Sequence, residues 1–259
     1  MNFEHFFEYR DASEKTFTDG FSIFSLPHFL WLAAVMALIV VFIFFYRRGS
    51  DKRRDNMRKA AALILILFEI AKQCVISLSG AVNHGLPLEI CSFAEYTILA
   101  DAMWQKNRFL KHLLAYAFMP AAVVALLLPT AVIYPPVSFF AAHQFLMHGL
   151  IVAYIVARYS AGEIEPRYVG VWITTLAIGA LIVPIYFIDK AFGESYMFLT
   201  YHYDNPALKL IWDLTGGKGG ILYILGLTAF VVFVFHITYG IYVIIRKSGN
   251  RSGKKRRKA

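Results

Sequence analysis

The chain has 259 residues, of which 58% are hydrophobic, 16% aromatic and only 17% charged, with a net charge of +9 and a mean hydropathy of +0.55. Ordinary soluble domains are about 45–50% apolar and about 25% charged, so charge this sparse excludes a soluble globular enzyme and hydrophobicity this high excludes disorder. Two cysteines exclude a disulfide scaffold and a Cys-rich zinc module.

Residues 1–25 are polar and acidic and lack a Lys/Arg-led apolar core, so they read as an external tail and not as a signal peptide. A membrane-crossing helix needs about 20 apolar residues. Seven blocks follow in order: Leu26–Tyr46, Lys59–Gly80, Pro87–Trp104, His112–Ile133, Phe139–Tyr159, Tyr168–Ile188 and Gly220–Ile245. The third is the weakest by hydropathy, because it carries Glu89, Glu95 and Asp101. The longest connection, 189–219, ends in Thr215-Gly-Gly-Lys-Gly-Gly220. That stretch reads as a loop tip leading into the last helix, although a glycine-rich helix start can also hold a phosphate.

The blocks locate the positive charge. With the amino terminus outside, segments 47–59, 104–112, 158–167 and 246–259 face the cytoplasm and carry 20 Lys/Arg, whereas the outer segments carry 5. This is the positive-inside pattern, and it supports the third span, since deleting that span would put the last four the wrong way round. The expected fold is all-α: one polytopic bundle of seven transmembrane helices over 26–245, an external tail over 1–25 and a basic cytoplasmic tail over 246–259. The basic runs read as anchors facing anionic lipid, not as nucleic-acid contacts.

Ionisable groups inside spans are costly unless paired, so each is a functional candidate. Glu69, Lys72 and Gln73 sit at i, i+3 and i+4 on one helix face. They form either a self-neutralising pair or an ion path or supporting carboxylate. Cys91 and Glu95 are four residues apart, about 40° around a helix, and Cys91 lies one turn after Pro87. His143 and His148 are five apart, about 140° around their helix. Both therefore cannot face one small site, and a two-His metal pair, which prefers i, i+4, is disfavoured. Gln144 shares the face of His148. The thiol, the imidazoles and the carboxylates fall at similar depths, as a nucleophile and its base require.

Five stretches together resemble a known family. Gly85-Leu-Pro-Leu-Glu-Ile-Cys91 is similar to the "LPLHLC" motif of the YwaF-type integral membrane proteins of bacteria. These proteins are related to a mammalian transmembrane lipid acyltransferase of the TMEM164 type. Phe24-Ser-Leu-Pro-His28, His143-Gln-Phe-Leu-Met-His148-Gly149, Glu194-Ser-Tyr-Met-Phe-Leu199 and Asn205-Pro206 follow in the family's order. The resemblance implies a seven-span acyltransferase with a cysteine nucleophile at Cys91 and a histidine base at His148. Glu89 stands where the family has His, Ser195 where it has Asn, and Asn205 where it has Lys.

The resulting expectation is a multi-pass cell-membrane acyltransferase or lipid ester hydrolase acting on membrane phospholipids. Cys91 and His148 are catalytic in it. Glu95, Glu69, His143 and Gln144 support or orient them, and Glu89, Tyr196 and Asn205 contact substrate. No metal, cofactor or nucleic acid is expected, and the sequence does not fix an oligomeric state. The alternative is a proton-coupled transporter or small-molecule receptor built on Glu69, Lys72, His143 and Glu95.

Overall fold

The computed structural model describes residues 6–10, 18–81, 85–203 and 205–256, and the described residues are helical or irregular, with no strand. The chain begins its bundle with α1 (Leu26–Arg48), apolar on every side, as a lipid-facing helix must be. Pro27 stands in its first turn, where a missing N–H costs nothing. Arg47 and Arg48 close its last turn, complementing the helix dipole. A two-residue link, Gly49–Ser50, turns the chain into α2 (Asp51–Leu78). The Ser50 hydroxyl accepts the N–H of Arg53, so the cap starts α2 within the basic run, well before the apolar block at Lys59.

α3 (Ile90–Met103) follows with 14 residues, about 21 Å of helix at 1.5 Å per residue. It runs antiparallel to α2. Ser92 near its start reaches Glu69 late in α2, while Gln105 just beyond its end reaches Asp55 and Arg58 early in α2. The fourth block is not one continuous α-helix. α4 (Arg108–Leu113) passes through a π-helical turn, Leu114–Phe118, into α5 (Met119–Leu127), followed by a 3-10 turn at Thr130–Ile133. Pro120 has no N–H to donate back along the helix, and a π turn just before it absorbs the mismatch.

α6 (Phe139–Ser160) is the centre of the bundle, with 15 of its 22 residues buried. α7 (Tyr168–Phe192) ends on Gly193 in the left-handed conformation. The connection that follows α7 contains a 3-10 turn (Tyr196–Phe198) and α8 (Pro206–Leu214). α9 (Ile221–Arg256) carries the last apolar block straight on through the basic run expected as a tail. Residues 257–259 of that tail, and 1–5 and 11–17 of the amino-terminal one, lie outside the described residues.

Six described stretches are long and apolar enough to cross a membrane: Leu26–Arg48, Asp51–Leu78, Arg108–Ile133, Phe139–Ser160, Tyr168–Phe192 and Ile221–Lys247. The seventh expected block, Pro87–Trp104, is not among them. Its helix is shorter than the block, and Ser92, Glu95 and Asp101 are buried against protein and not lipid. Hydropathy scores a helix by what lipid would see, and α3 hides its polar groups inside the bundle.

At the end of the bundle where α6 begins, the described pieces of the amino-terminal segment are packed down. Arg10 is 5% exposed and donates to the Ile133 carbonyl at 2.7 Å. Its guanidinium is held charged, above its ordinary range, chiefly by Asp19.

Candidate functional site

Glu69 organises the polar centre of the bundle. Lys72 Nζ lies 2.7 Å from its Oε2, Gln73 Nε2 donates to its Oε1 at 2.7 Å, and the Ser92 hydroxyl donates to Oε2 at 3.2 Å. The i, i+3, i+4 face expected on α2 is therefore realised, and it crosses to α3 through the residue next to Cys91. Gln73 also donates to the Gly85 carbonyl at 2.6 Å. A Cβ at Gly85 would fall 2.6 Å from the Ile76 methyl, so only glycine lets the segment before Cys91 lie this close to α2.

Cys91 occupies the first turn of α3, partly buried against the core, and is a free thiol. Cys74 is also free and is exposed, so the two thiols are not bridged. Lys72 stands within electrostatic range of Cys91, Glu95, His143 and His148. Glu95 is fully buried, and among the described residues neither of its carboxyl oxygens is hydrogen-bonded and the Nε2 of buried His143 also lacks a partner.

His148 Nδ1 lies 2.7 Å from the backbone carbonyl of Gln144. A carbonyl only accepts, so Nδ1 carries the proton and Nε2 is left as the acceptor, the form a general base needs. Gln144 acts here through its backbone, while its side chain donates to the Ala125 carbonyl at 3.3 Å. Among the described residues no hydrogen bond joins His148 to Cys91. Gly149 does allow a close helix approach, as its sequence position suggests, but the neighbour is α1. A Cβ there would sit 2.7 Å from Val35 Cγ1.

The loop after α7 is fastened to the segment before Cys91 at two points. The Met197 N–H donates to Glu89 Oε2 at 3.0 Å, and the Leu86 N–H donates to the Tyr196 hydroxyl at 3.0 Å. Burial pushes that phenol up to about 12. Met197 and Phe198 both have positive φ, 53° and 61°, a conformation side-chain-bearing residues adopt at a cost. Ser195 holds the turn by accepting from Thr200 and Tyr201 N–H groups at 3.1 and 2.8 Å. Asn205 accepts from the Leu208 N–H at 3.4 Å, capping α8.

A groove of about 510 Å³ opens sideways between α2 and α3. Ile70, Leu78 and Tyr96, all exposed, form its apolar wall, while buried Glu69 and half-buried Gln73 lie along it. Among the described residues no group of three or more His, Cys, Asp or Glu is placed to hold a metal ion.

Two features were not visible in sequence. Ser92 carried no motif of its own beyond its place beside Cys91. The second polar cluster lies at the other end of α3, where buried Asp101 meets Arg158 and accepts from the Tyr154 hydroxyl at 2.7 Å. Arg158 had read as a loop charge at the end of its span, although the spacing of Asp101 inside an apolar block was a signal that it needed a buried cation.

The model of the TMEM164 family matches residues 23–239, most of the chain. No curated protein and no solved structure matches it.

Proposed function

Because the chain belongs to the TMEM164 family, and is a membrane protein of several apolar helices, we propose that it is a cysteine-dependent lipid acyltransferase working inside the bilayer. The observation that carries this reading is a free thiol at the start of α3 beside the Glu69 network of Lys72, Gln73 and Ser92, next to a groove between α2 and α3. In this reading α3 makes a seventh crossing, and the basic ends of α1, α2, α6 and α9 face the cytoplasm of the cell membrane.

Cys91 attacks the ester carbonyl of a phospholipid. His148 Nε2 takes the thiol proton and gives it to the departing lipid hydroxyl, leaving an acyl thioester on the sulfur. A second lipid hydroxyl then attacks the thioester, His148 accepts its proton, and the thiol is restored. The developing negative charge lies within range of the Lys72 ammonium, which Glu69 holds in place. The acyl chain enters along the groove between α2 and α3. Sulfur and imidazole close to hydrogen-bonding distance only with substrate bound, as catalytic pairs commonly do. Glu95 and His143 line the polar interior, and Glu89 and Tyr196 hold the outer loop over the mouth, with Asn205 fixing the helix beyond it.

The test is lipidomics of cells overproducing wild type or Cys91→Ala. A change in phospholipid acyl composition that needs Cys91 supports the reading, and identical profiles oppose it.

A second reading has its own observation. The Glu69–Lys72 pair, together with the Glu95 carboxyl and the His143 Nε2, neither hydrogen-bonded among the described residues, relays protons in a transporter reading. That reading makes Lys72 indispensable and Cys91 dispensable for accumulation of the carried solute, the reverse of the acyltransferase pattern.

A further inference from the structure

At the far end of α3 from Cys91, about 21 Å along the helix, lies a second cleft of about 360 Å³. It is bounded by the first turns of α2, the link between α3 and α4, and the end of α6. Five cations line it: Arg54, Arg58, Lys106, Lys111 and Arg158. Only two carboxylates do so, Asp51 and Glu163.

The arginines are held rigid from behind. Arg58 donates to the Tyr46 hydroxyl at 2.8 Å, to Gln105 Oε1 at 2.7 Å and to Asp55 at 3.2 Å. Arg158 pairs with Asp101 and donates to Glu163 at 3.0 Å. Glu163 is itself engaged, since its Oε2 accepts from the Tyr46 hydroxyl at 2.7 Å and from Arg58 at 3.2 Å, and Arg54 stands 4.0 Å from its Oε1. Glu163 thus fixes the wall through Oε2, and the cations of the cleft outnumber its carboxylates.

Donors are left over. Arg58 is 5% exposed, and its buried Nε has no acceptor among the described residues. Lys106 and Lys111, which line the cleft, make no ion pair among the described residues. Five cations against two carboxylates is an anion-binding arrangement, and basic pockets between the ends of membrane helices suit phosphate headgroups.

We propose that this cleft binds a phosphate ester anion, with Lys106, Lys111 and the Arg58 Nε as its donors. The site is separate from the chemistry at Cys91 and stands whether or not that chemistry is acyl transfer. The same anion reaches it either on a lipid headgroup or in soluble form.

The experiment measures binding to purified full-length protein in detergent at about 0.15 M salt, where charges beyond about 8 Å are screened. The probes are short-chain phosphatidylglycerol, phosphatidylcholine of the same chains, and soluble glycerol 3-phosphate. Phosphatidylglycerol, glycerol 3-phosphate or both should bind, and which of them does identifies the source. At about fivefold per cation, Lys106→Gln with Lys111→Gln should weaken that binding about 25-fold. Neither lysine is ion-paired, so the thermal midpoint should hold. Replacing both with Arg should retain binding, and Lys52→Gln, exposed and outside the cleft, should change it less than about twofold. Equal affinity for phosphatidylglycerol and phosphatidylcholine without glycerol 3-phosphate binding, or a double Gln variant that binds like wild type, overturns the proposal.

Discussion

Glu89 accepts the backbone N–H of Met197 at 3.0 Å across 108 residues of sequence. Glu89 is two residues before Cys91, and Met197 sits on a turn with a left-handed backbone, so this one bond couples the loop outside the bundle to the start of α3. Where the family resemblance has a histidine, this chain uses a carboxylate that receives a main-chain donor.

Removing that acceptor strands the Met197 N–H. Glu89→Ala should cost about 1.5–3 kcal/mol, the range for a hydrogen bond to a charged group. Glu89→Gln, which still accepts, should cost less. Thermal unfolding in detergent reads the difference, and amide hydrogen exchange at Met197 should quicken in the alanine variant alone. Equal stability of all three proteins would detach the loop from Glu89.

Glu69 and Lys72 are 5% and 15% exposed, so each is the other's compensation for lost solvation. Breaking a buried pair by removing one partner typically costs about 3–5 kcal/mol. Glu69→Gln and Lys72→Met should each destabilise on that scale, and the double variant should recover most of the loss. A double variant as unstable as the sum of the singles would show that the two act independently.

α1 and α6 touch through Gly149, whose absent Cβ makes room for Val35. Gly149→Ala should push the helices apart and cost about 1–3 kcal/mol, as overpacking does. Adding Val35→Ala should restore stability. If Gly149→Ala is neutral, the close approach does not contribute to the bundle.

The charge asymmetry predicts sidedness. Reporter fusions at Gly49 and Ser248 should read cytoplasmic and one at Thr215 external. A periplasmic or external reading at Gly49 would reverse the bundle. A cytoplasmic reading at both Gly49 and Thr215 would remove the crossing assigned to α3.

The long helices were legible because membrane spans are written in composition. The six apolar blocks reappear as α1, α2, the α4–α5 segment, α6, α7 and α9, with ends shifted where Ser50 caps early or α9 runs on to Arg256. α3 was legible only through charge bookkeeping, since its buried Ser92, Glu95 and Asp101 defeat hydropathy. Helical spacing correctly put Glu69, Lys72 and Gln73 on one face. It could not reveal that Ser92 on another helix completes the Glu69 shell, or that Arg158 partners Asp101, because those contacts depend on how α2, α3 and α6 pack. The spacing of His143 and His148 limited them to different directions, and it took the hydrogen bond to Gln144 to assign the tautomer of His148.

The central claim is that Cys91 carries an acyl group. Purified protein incubated with a phospholipid bearing an alkyne-tagged acyl chain should yield a hydroxylamine-labile adduct on the peptide containing Cys91, read by mass spectrometry. The adduct should be absent from Cys91→Ala and strongly reduced in folded His148→Ala. Acyl transfer persisting in Cys91→Ala, or an adduct that forms on Cys74 and never on Cys91, would contradict the account.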